Sequence, residues 1–444
     1  MNSILRPVRK IRGGAKVPHL KDTADCKTVF MPSPPEIILP MQQHIGAPCQ
    51  PTVKVGEEVK VGQVVGDSDA FVSAPIHSGV SGKVKAIKSI LLPGGQRADA
   101  IVIESDGLDT YADTMGPRDV HDKASLLSAI RTSGLVGIGG AGFPLSVKLA
   151  IKDDSGVDTL VVNGAECEPY ITSDFRESVE FPGRVIAGVE MVMASLGLKK
   201  AYIGIEDNKP QGIQALKKVL DKRPAGGLDI DIVELPARYP QGAEKMLIYA
   251  TTGRRVPVGG LPSDAGCVVM NISSVSVLCY YIWTGIPMIS KRVTVSGGAV
   301  NDPKNVMVRI GTPIGDVIDF CGGLKEEPTK LITGGPMMGV AQYDRNMPLL
   351  KQNNAILALT KEETQIPQEQ PCIRCGRCVH ACPMSLMPAQ IERASRNEDV
   401  VQLAKLGVMS CMECGSCAYA CPSKRPLVQY MKYAKTVARK KVSG

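Results

Sequence analysis

Eight of the fourteen cysteines lie in two groups close to the C-terminal end of the chain. Both groups have the spacing C-x2-C-x2-C-x3-C-P. Three thiolates at this spacing can hold one face of a [4Fe–4S] cubane, and the fourth, which precedes the proline, ligates the other cluster. The spacing therefore predicts two clusters, one held by Cys372, Cys375, Cys378 and Cys421, the other by Cys411, Cys414, Cys417 and Cys382.

A zinc ion is the alternative to a cluster as the metal bound by closely spaced cysteines. A zinc site normally needs four ligands in two pairs, and two intact copies of the longer motif favour iron–sulfur clusters instead. His380 lies inside the first motif, and we interpret it as a neighbour of the cluster rather than a ligand. The six other cysteines are scattered, and most are predicted to be buried apolar residues: Cys26, Cys49, Cys167, Cys267, Cys279 and Cys321.

A glycine-rich loop is the second chemical feature of the sequence. Gly137, Gly139 and Gly142 satisfy G-x-G-x-x-G, a weak signal by itself. The dinucleotide fingerprint needs a strand before the loop, whereas residues 124–132 predict a helix there. Glycines let backbone N–H groups approach an anion, and Lys148 in the next predicted helix could reach a phosphate or a flavin edge. The alternative is a tight turn between two helices.

Polar residues follow the predicted buried strand Thr159–Asn163. Ligands of open α/β sheets bind at the carboxyl ends of strands, where Asn163, Glu166 and Glu168 would lie. The two glutamates could accept hydrogen bonds from ribose hydroxyls or a nicotinamide carboxamide, or they could cap the following turn. Another loop contributes the carboxylate of Glu244, and Asn271 could contact a flavin phosphate.

Composition indicates several globular domains in the 444 residues. Apolar residues make up 44% and charged residues 22%, which excludes a disordered chain or a polytopic membrane protein. The net charge of +8 comes from the two ends, because the residues between 21 and 414 carry more acidic than basic side chains. A basic nucleic-acid-binding body is therefore excluded, and the basic ends could touch anionic lipid, an acidic partner or only solvent.

Cysteine usage and hydropathy suggest a location. Metal thiolates in a reducing compartment explain the two cysteine groups better than disulfides do, and the start of the chain has no apolar core of signal-peptide length. Residues 266–290 carry no charge, but they contain Asn271, Pro287 and five serines and threonines. We therefore predict a buried core segment rather than a membrane span, and a soluble cytoplasmic protein.

The elements that must position these residues change along the chain. Residues 36–110 alternate valine with glycine turns in two halves, which resembles the barrel-sandwich fold of lipoyl and biotinyl carriers. The carrier lysine is missing from the tip at 67–71, so a docking or structural module is expected, with His77 as a strand or turn residue. Residues 120–290 have an α/β pattern, and a polar linker at 360–370 precedes helical cysteine motifs. Predicted strands lie at 201–206 and 230–234, short strands at 291–345, and helices at 181–196, 388–407 and 426–441.

The runs at 137–149, 163–174 and 239–262 (GIGGAGFPLSVKL, NGAECEPYITSD and YPQGAEKMLIYATTGRRVPVGGLP) resemble the NADH-binding flavoprotein subunit of respiratory complex I. With the N-terminal barrel-sandwich pattern and the paired cubane motifs, essentially the whole chain resembles the C subunits of bacterial Rnf complexes. These complexes are membrane-associated ferredoxin:NAD oxidoreductases that pump Na⁺ or H⁺. The resemblance implies a multidomain α/β plus β protein: an N-terminal segment and barrel-sandwich hybrid domain (1–115), an FMN/NADH-binding α/β domain (116–290), a β-grasp, SLBB-like domain (291–350), and a linker with a helical ferredoxin domain carrying two [4Fe–4S] clusters (351–444).

The resemblance also implies roles for individual residues. FMN would be cradled by Gly137, Gly139, Gly140, Gly142, Lys148, Asn163 and Asn271. Phe143 would stack on the nicotinamide, and Glu166, Glu168 and Glu244 would line the NADH site. One departure is Ala165, which stands where complex I flavoproteins have an acidic residue, so any contact of that carboxylate is lost.

The implied activity is NAD-dependent electron transfer within an ion-translocating complex. FMN exchanges a hydride with NAD(H) and single electrons with the clusters, so no side chain is needed as a general acid and no catalytic residue is named. Expected partners are NADH and the other Rnf subunits, including an iron–sulfur subunit that receives ferredoxin electrons; nucleic acid is not expected. The protein would be peripheral at the cytoplasmic face of the bacterial inner membrane, held there by other subunits or by its basic ends.

Three alternatives remain at this point. A cobalamin-reducing enzyme uses the same modules, but its barrel-sandwich segment is expected at the C-terminal end. A flavoprotein subunit of a bifurcating hydrogenase is disfavoured because no thioredoxin-like cysteine domain is recognised. The third alternative is a non-catalytic electron-wiring subunit whose nucleotide site is vestigial.

Overall fold

The computed structural model describes residues 4–224 and 226–440. Nine strands come first: β1 (Ile4–Leu5), β2 (Val29–Phe30), β3 (Glu36–Pro40), β4 (Gln50–Pro51), β5 (Glu58–Val59), β6 (Val64–Asp67), β7 (Ile76–His77), β8 (Gly82–Leu91) and β9 (Arg97–Ser105). Helices and strands then alternate: α1 (Lys123–Thr132), α2 (Leu145–Leu149), β10 (Thr159–Gly164), α3 (Ser173–Glu180), α4 (Pro182–Leu196), β11 (Lys200–Glu206), α5 (Pro210–Leu220), β12 (Asp229–Leu235), α6 (Glu244–Thr252), β13 (Cys267–Asn271) and α7 (Ile272–Thr284). The remaining elements are β14 (Ser290–Ser296), β15 (Lys304–Arg309), α8 (Ile314–Phe320), β16 (Lys330–Thr333), β17 (Val340–Gln342), β18 (Ala355–Leu359), α9 (Arg377–Ala381), α10 (Pro388–Arg396), α11 (Val400–Lys405), α12 (Ser416–Tyr419) and α13 (Leu427–Lys440).

The first domain consists of two small antiparallel sheets, β3-β9-β8-β5 and β4-β6-β7. Buried valines and isoleucines from both sheets contribute to one core, among them Val59, Val65 and Ile103. Asp67, at the tip where a carrier would have its lysine, forms a 2.6 Å ion pair with Arg131 of α1. The tip is therefore attached to the next domain, as suits a structural module rather than a swinging carrier.

A five-stranded parallel sheet forms the centre of the molecule, in the order β1-β12-β11-β10-β13. The three strands predicted from the sequence are β10, β11 and β12, and their apolar residues are buried beneath helices, as continuous Val and Ile runs require in a parallel sheet. The uncharged stretch 266–290 forms β13 and α7, most of whose side chains are buried. Within residues 4–224 and 226–440, no helix is long and apolar enough to cross a membrane.

The third sheet is mixed and has six strands in the order β17-β16-β18-β14-β15-β2. Its strand β18 pairs with both β14 and β16, so the sheet continues past the domain boundary expected at residue 350. Strand β2 comes from the N-terminal segment and pairs with β15 through Val29 and Val306. Because β1 joins the parallel sheet, the N-terminal segment is shared between two other domains.

The C-terminal domain is helical. The helix predicted at 388–407 is two helices, α10 and α11, because Glu398 adopts a positive φ of 49° and the Asp399 carboxylate caps α11 by accepting the Gln402 N–H at 3.0 Å. Helix α13 is amphipathic, as predicted for residues 426–441; Lys441 lies outside the described residues. The apolar face of α13 packs inside its own domain, with Met431 and Ala434 buried in the same cluster as Ile391.

Candidate functional site

The glycine loop connects α1 to α2, so a helix precedes it, as the sequence predicted. Three of its N–H groups have protein acceptors: Gly137 donates to the Phe143 carbonyl at 2.9 Å, Ile138 to Ser274 Oγ at 3.2 Å, and Gly139 to the Gln352 carbonyl at 3.1 Å. These bonds fix the sides of the loop and leave its tip at the surface.

The tip of the loop remains free to meet a ligand. Gly139, Gly140 and Ala141 are exposed, and no atom lies within 4 Å of a methyl group built on Gly140. In the part of the chain that the structure describes, the N–H groups of Gly140 and Ala141 have no protein acceptor. The loop therefore offers unpaired donors to an anion such as a flavin phosphate. Helix α2 has only five residues, so it adds less dipole than the sequence suggested.

An ion pair joins α2, which follows the glycine loop, to the first residue of α6. Lys148 Nζ donates to Glu244 Oε1 at 2.5 Å, and both side chains are partly exposed. The structure therefore brings together these two predicted site residues. Phe143, at the end of the glycine loop, is half-buried.

Asn163 and Asn271 are direct neighbours at the carboxyl ends of β10 and β13. Asn163 donates to the Gly242 carbonyl at 2.8 Å and accepts the Ala165 N–H at 3.2 Å. The Asn271 oxygen caps α7, and its Nδ2 donates to Asp174 at 2.6 Å. Both amides already have protein partners, so they hold the neighbouring loops in place rather than present free groups to a ligand.

Glu166 is a helix cap. Its carboxylate accepts the N–H groups of Asp174 at 2.6 Å and Phe175 at 3.2 Å, at the start of α3. Of the two roles that the sequence leaves open for this residue, the capping of the following turn is the one the structure contains. Lys21 lies against the same loop and donates to the Glu166 carbonyl at 2.9 Å and the Glu168 carbonyl at 2.7 Å. Burial raises the pKa of the Glu166 carboxyl to about 7.

Glu168 faces the six-stranded sheet domain. Its Oε2 accepts the Met337 N–H at 3.0 Å, and Gly335 lies so close to the carboxylate that a methyl group there would be 2.3 Å from Oε2. Its other oxygen, Oε1, is buried without a protein partner among the described residues. Burial raises the pKa of the Glu168 carboxyl to about 7. The carboxylate therefore has one acceptor that no protein donor uses among the described residues.

The predicted cysteine ligands of one cluster surround a cavity in the C-terminal domain. The cavity is lined by Cys382, Cys411, Cys414 and Cys417, together with apolar residues that include Leu386, Val428 and Met431. Burial and the thiols of Cys411, Cys414 and Cys382 raise the pKa of Cys417 to about 12. Four thiols around an apolar cavity fit a [4Fe–4S] cluster, and they join the last cysteine of the first motif to the second motif, as the spacing predicted.

The second predicted cluster site lies nearer the surface. Cys372 and Cys375 are exposed, whereas Cys421 is buried. Burial, together with the nearby Cys421 thiol, raises the pKa of Cys378, so these two cysteines of different motifs are neighbours. Within the described residues, no three Cys, His, Asp or Glu side chains converge as ligands of a single metal ion would.

Contacts that the sequence did not reveal join the cysteine domain to the flavin-loop region. The Tyr239 hydroxyl donates to the Cys414 carbonyl at 2.7 Å, and Tyr239 is only 2% exposed. Gly14 N–H donates to the Ala381 carbonyl at 2.9 Å, and Ala15 pairs with Tyr239. Within the cysteine domain itself, Lys435 donates to the Cys411 carbonyl at 2.8 Å. The adjacent Gly13 and Gly14, in an otherwise basic segment, are the one local signal of such a close approach.

Comparison with known families accounts for most of the chain. Four family models match: RnfC barrel sandwich hybrid domain at residues 9–108, Nuo51 FMN-binding domain at 130–279, SLBB domain at 292–341, and 4Fe-4S dicluster domain at 371–425. The predicted fold class is confirmed, domain type by domain type. The fold and the sites together define an iron–sulfur electron-transfer protein with an FMN-binding domain and a dicluster domain.

Nearly the whole of this chain aligns with curated relatives. The chain is 47% identical to the C subunit of the proton-translocating ferredoxin:NAD(+) oxidoreductase complex of Clostridium ljungdahlii, covering 97% of this chain and 94% of the relative. It is 44% identical to the C subunit of the Na(+)-translocating complex of Acetobacterium woodii (96% of each chain) and 41% identical to that of the ion-translocating complex of Rhodobacter capsulatus (96% and 82%). The chain belongs to the family of Rnf complex C subunits, which confirms the resemblance and displaces the cobalamin-reducing and hydrogenase alternatives.

A solved structure has a related fold. The H2-reduced NAD+-reducing [NiFe]-hydrogenase aligns with a TM-score of 0.50 and 20% identity, over 72% of this chain and 63% of that chain. At this identity the likeness concerns the fold alone.

Proposed function

We propose that the protein transfers electrons between NAD(H), bound beside the glycine loop, and two [4Fe–4S] clusters held by the eight motif cysteines. FMN, when bound, supplies the chemistry that exchanges a hydride with NAD(H) and single electrons with the clusters. The relatives are named as subunits of ion-translocating complexes, and this protein would likewise act within a complex that couples electron transfer to ion translocation. In the forward direction, electrons arrive through the clusters and leave on NAD⁺.

The residues of the chain bind and orient rather than react. The free N–H groups of Gly140 and Ala141 would receive the flavin phosphate, and Phe143 would stack on the nicotinamide. The unpaired Oε1 of Glu168 would accept a hydrogen bond from the nicotinamide carboxamide or a ribose hydroxyl. Lys148 and Glu244 would set the distance between the two loops through their ion pair. Glu166 would act indirectly, by fixing the start of α3.

One contact carries this proposal: the hydrogen bond from Tyr239, on the loop that follows β12, to the backbone of Cys414. It supports an order in which the cluster of Cys382, Cys411, Cys414 and Cys417 is next to the flavin. The cluster of Cys372, Cys375, Cys378 and Cys421 would then be the outer one, and the exposure of Cys372 and Cys375 would let a redox partner approach it.

We further propose that the protein is peripheral at the cytoplasmic face of the bacterial inner membrane and is held there by other Rnf subunits. One of these would be the iron–sulfur subunit that receives ferredoxin electrons. The buried apolar face of α13 supports indirect attachment, because this face is not available to lipid. Lys435, one of the basic residues near this end, is also occupied by the Cys411 carbonyl and by Glu413.

An anaerobic NADH titration tests the function. The full-length protein, with reconstituted clusters and FMN, should show bleaching of the visible flavin band and growth of the EPR signal of reduced clusters. If dithionite reduces the clusters but NADH changes neither signal, the protein is an electron-wiring subunit with a vestigial nucleotide site, and the proposal is wrong.

A further inference from the structure

A short segment that belongs to neither predicted site lies directly against the glycine loop. This segment, residues 351–354, connects the six-stranded sheet domain to its last strand, β18. The Gln352 carbonyl accepts the Gly139 N–H at 3.1 Å. A methyl group built on Gly139 would lie 2.9 Å from Asn354 Nδ2 and 3.9 Å from Asn271 Nδ2. The Asn354 amide is therefore at the loop tip, beside a residue of the candidate flavin site.

The segment is anchored by a buried lysine. Lys351 is only 1% exposed, and its Nζ donates to the carbonyls of Pro75 and Gly134, both at 2.6 Å. The Lys351 carbonyl accepts Lys291 Nζ at 2.6 Å. Contacts from three domains thus fix the backbone of the segment. A buried ammonium is costly unless it is fully hydrogen-bonded, so this degree of anchoring holds residues 352–354 in one position against the loop.

The two side-chain amides of the segment have unused hydrogen-bonding capacity. Gln352 Oε1 is buried and has no partner among the described residues. The Asn354 carboxamide has no hydrogen-bond partner in the same set, although its backbone carbonyl accepts the Thr294 N–H at 3.1 Å. Gln352 Oε1 is therefore an exception among buried polar atoms, and the Asn354 carboxamide, which is partly exposed, has both its donor and its acceptor free for a ligand.

We propose that Asn354 binds the isoalloxazine ring of FMN, so that the segment after the SLBB domain completes the flavin site. This inference rests on the proposed function. A carboxamide has a donor and an acceptor side by side, and the pyrimidine edge of the ring alternates carbonyl acceptors with an N–H donor. The loop-tip N–H groups of Gly140 and Ala141 are the complementary site for the phosphate. Gln352 is the second amide of the segment, and its backbone carbonyl positions Gly139 by accepting the Gly139 N–H.

Flavin binding to the full-length protein with its clusters tests the proposal. The quenching of flavin fluorescence is titrated separately with FMN and with riboflavin, which has the ring but no phosphate. Asn354→Ala should lower the affinity for both flavins about tenfold, which is the effect of losing a hydrogen-bonded amide contact. Asn354→Asp keeps the side-chain volume but cannot donate a hydrogen bond, so it should also lower the affinity for riboflavin. Asn346→Ala, in an exposed turn of the same domain, is the matched control and should change neither affinity.

The possible results separate the two proposals. Weaker binding of FMN with unchanged riboflavin would place Asn354 on the phosphate and overturn the ring assignment. Unchanged affinity for both flavins, in variants with unaltered thermal unfolding, would overturn the inference alone. If the unaltered protein bound neither flavin, the proposed function would fail first, and the inference with it. The midpoint potential of the bound flavin is a second readout, and it should shift in Asn354→Ala but not in Asn346→Ala.

Discussion

The Tyr239 hydroxyl donates a 2.7 Å hydrogen bond to the backbone carbonyl of Cys414, between the α/β domain and the cysteine domain. Tyr239 is almost completely buried, and it pairs with Ala15 on its other side. The residue therefore connects the loop beside the candidate flavin site to the ligands of one predicted cluster. Electron transfer between cofactors falls off steeply with distance, so a fixed contact of this kind matters for function as well as for stability.

Replacing Tyr239 with Phe should loosen this contact. The variant leaves the Cys414 carbonyl without its donor in a buried place, which should cost about 1–3 kcal/mol of unfolding free energy. It should also slow cluster reduction by NADH, as measured by stopped-flow absorbance, while leaving reduction by dithionite unchanged. Tyr202→Phe is the control, because the Tyr202 hydroxyl has no partner among the described residues and should be dispensable. If NADH reduced the clusters at the same rate in both variants, the Tyr239 contact would not affect electron transfer, and the prediction would be wrong.

Gly139→Ala should impair flavin binding. Gly139 has a φ of +72°, and its added methyl group would lie 2.9 Å from the Asn354 amide. The backbone strain costs about 1–2 kcal/mol, and the displaced amide adds to the loss. FMN affinity should fall at least about tenfold, as measured by fluorescence quenching. Gly156→Ala is the matched control, since Gly156 has a similar φ of +69° but no atom lies within 4 Å of its added methyl group, and it should bind FMN normally.

Cys382→Ser and Cys421→Ser should have opposite effects on the two clusters. If the last cysteine of each motif ligates the other cluster, Cys382→Ser impairs the cluster of the second motif, and Cys421→Ser impairs that of the first. Iron content and EPR of the dithionite-reduced variants should show one cluster lost or altered in each. NADH should still reduce the remaining cluster in Cys421→Ser, because the proposed order puts that cluster next to the flavin, but should do so poorly in Cys382→Ser. The reverse pattern would exchange the inner and outer clusters.

The cysteine spacing and the strand patterns predicted much of this molecule because they are local. The buried run Thr159–Asn163 falls in β10, since four successive apolar or β-branched residues, Thr159–Val162, suit a strand covered on both faces. The cysteine motifs predicted the grouping of Cys382 with Cys411 and Cys417 in the same way, from spacing alone. Asn163 and Asn271 are both predicted site residues, and the register of the parallel strands makes them neighbours.

The remainder depends on partners distant in the chain, which no local pattern encodes. Strand β2 pairs with β15 across more than 270 residues, so residues 29 and 30 gave no strand signal of their own. The sequence left both a ligand role and a capping role open for Glu166, and its hydrogen bond to the start of α3 depends on where that helix lies in the fold. Asn354 follows the predicted β-grasp segment and carries no motif, and its closeness to Gly139 results from the docking of two domains.

Lys435→Met should lower the reduction potential of the cluster beside Cys411. The Lys435 ammonium donates to the Cys411 carbonyl at 2.8 Å and to Glu413 at 2.6 Å, and a nearby positive charge favours the more negative, reduced cluster. Its removal should shift the midpoint potential down by on the order of tens of millivolts in an EPR-monitored titration. Lys432→Met removes an exposed charge from the same helix and should leave the potential unchanged. A shift of the same size in both variants would assign it to overall charge rather than to the contact.

Glu168 should make stability depend on pH. Burial raises its folded-state pKa to about 7, from 4.5, so the folded protein binds the proton more tightly than the unfolded chain. Its contribution therefore favours the folded state below about pH 4.5 and is lost as the pH rises toward and past 7. The unfolding free energy of Glu168→Gln, measured with urea, should exceed that of the unaltered protein by an amount that grows from about 1 to about 3 kcal/mol between pH 5 and pH 8. Glu326→Gln, an exposed change in the neighbouring domain, is the control, and a Glu168→Gln curve parallel to that of the control would contradict the prediction.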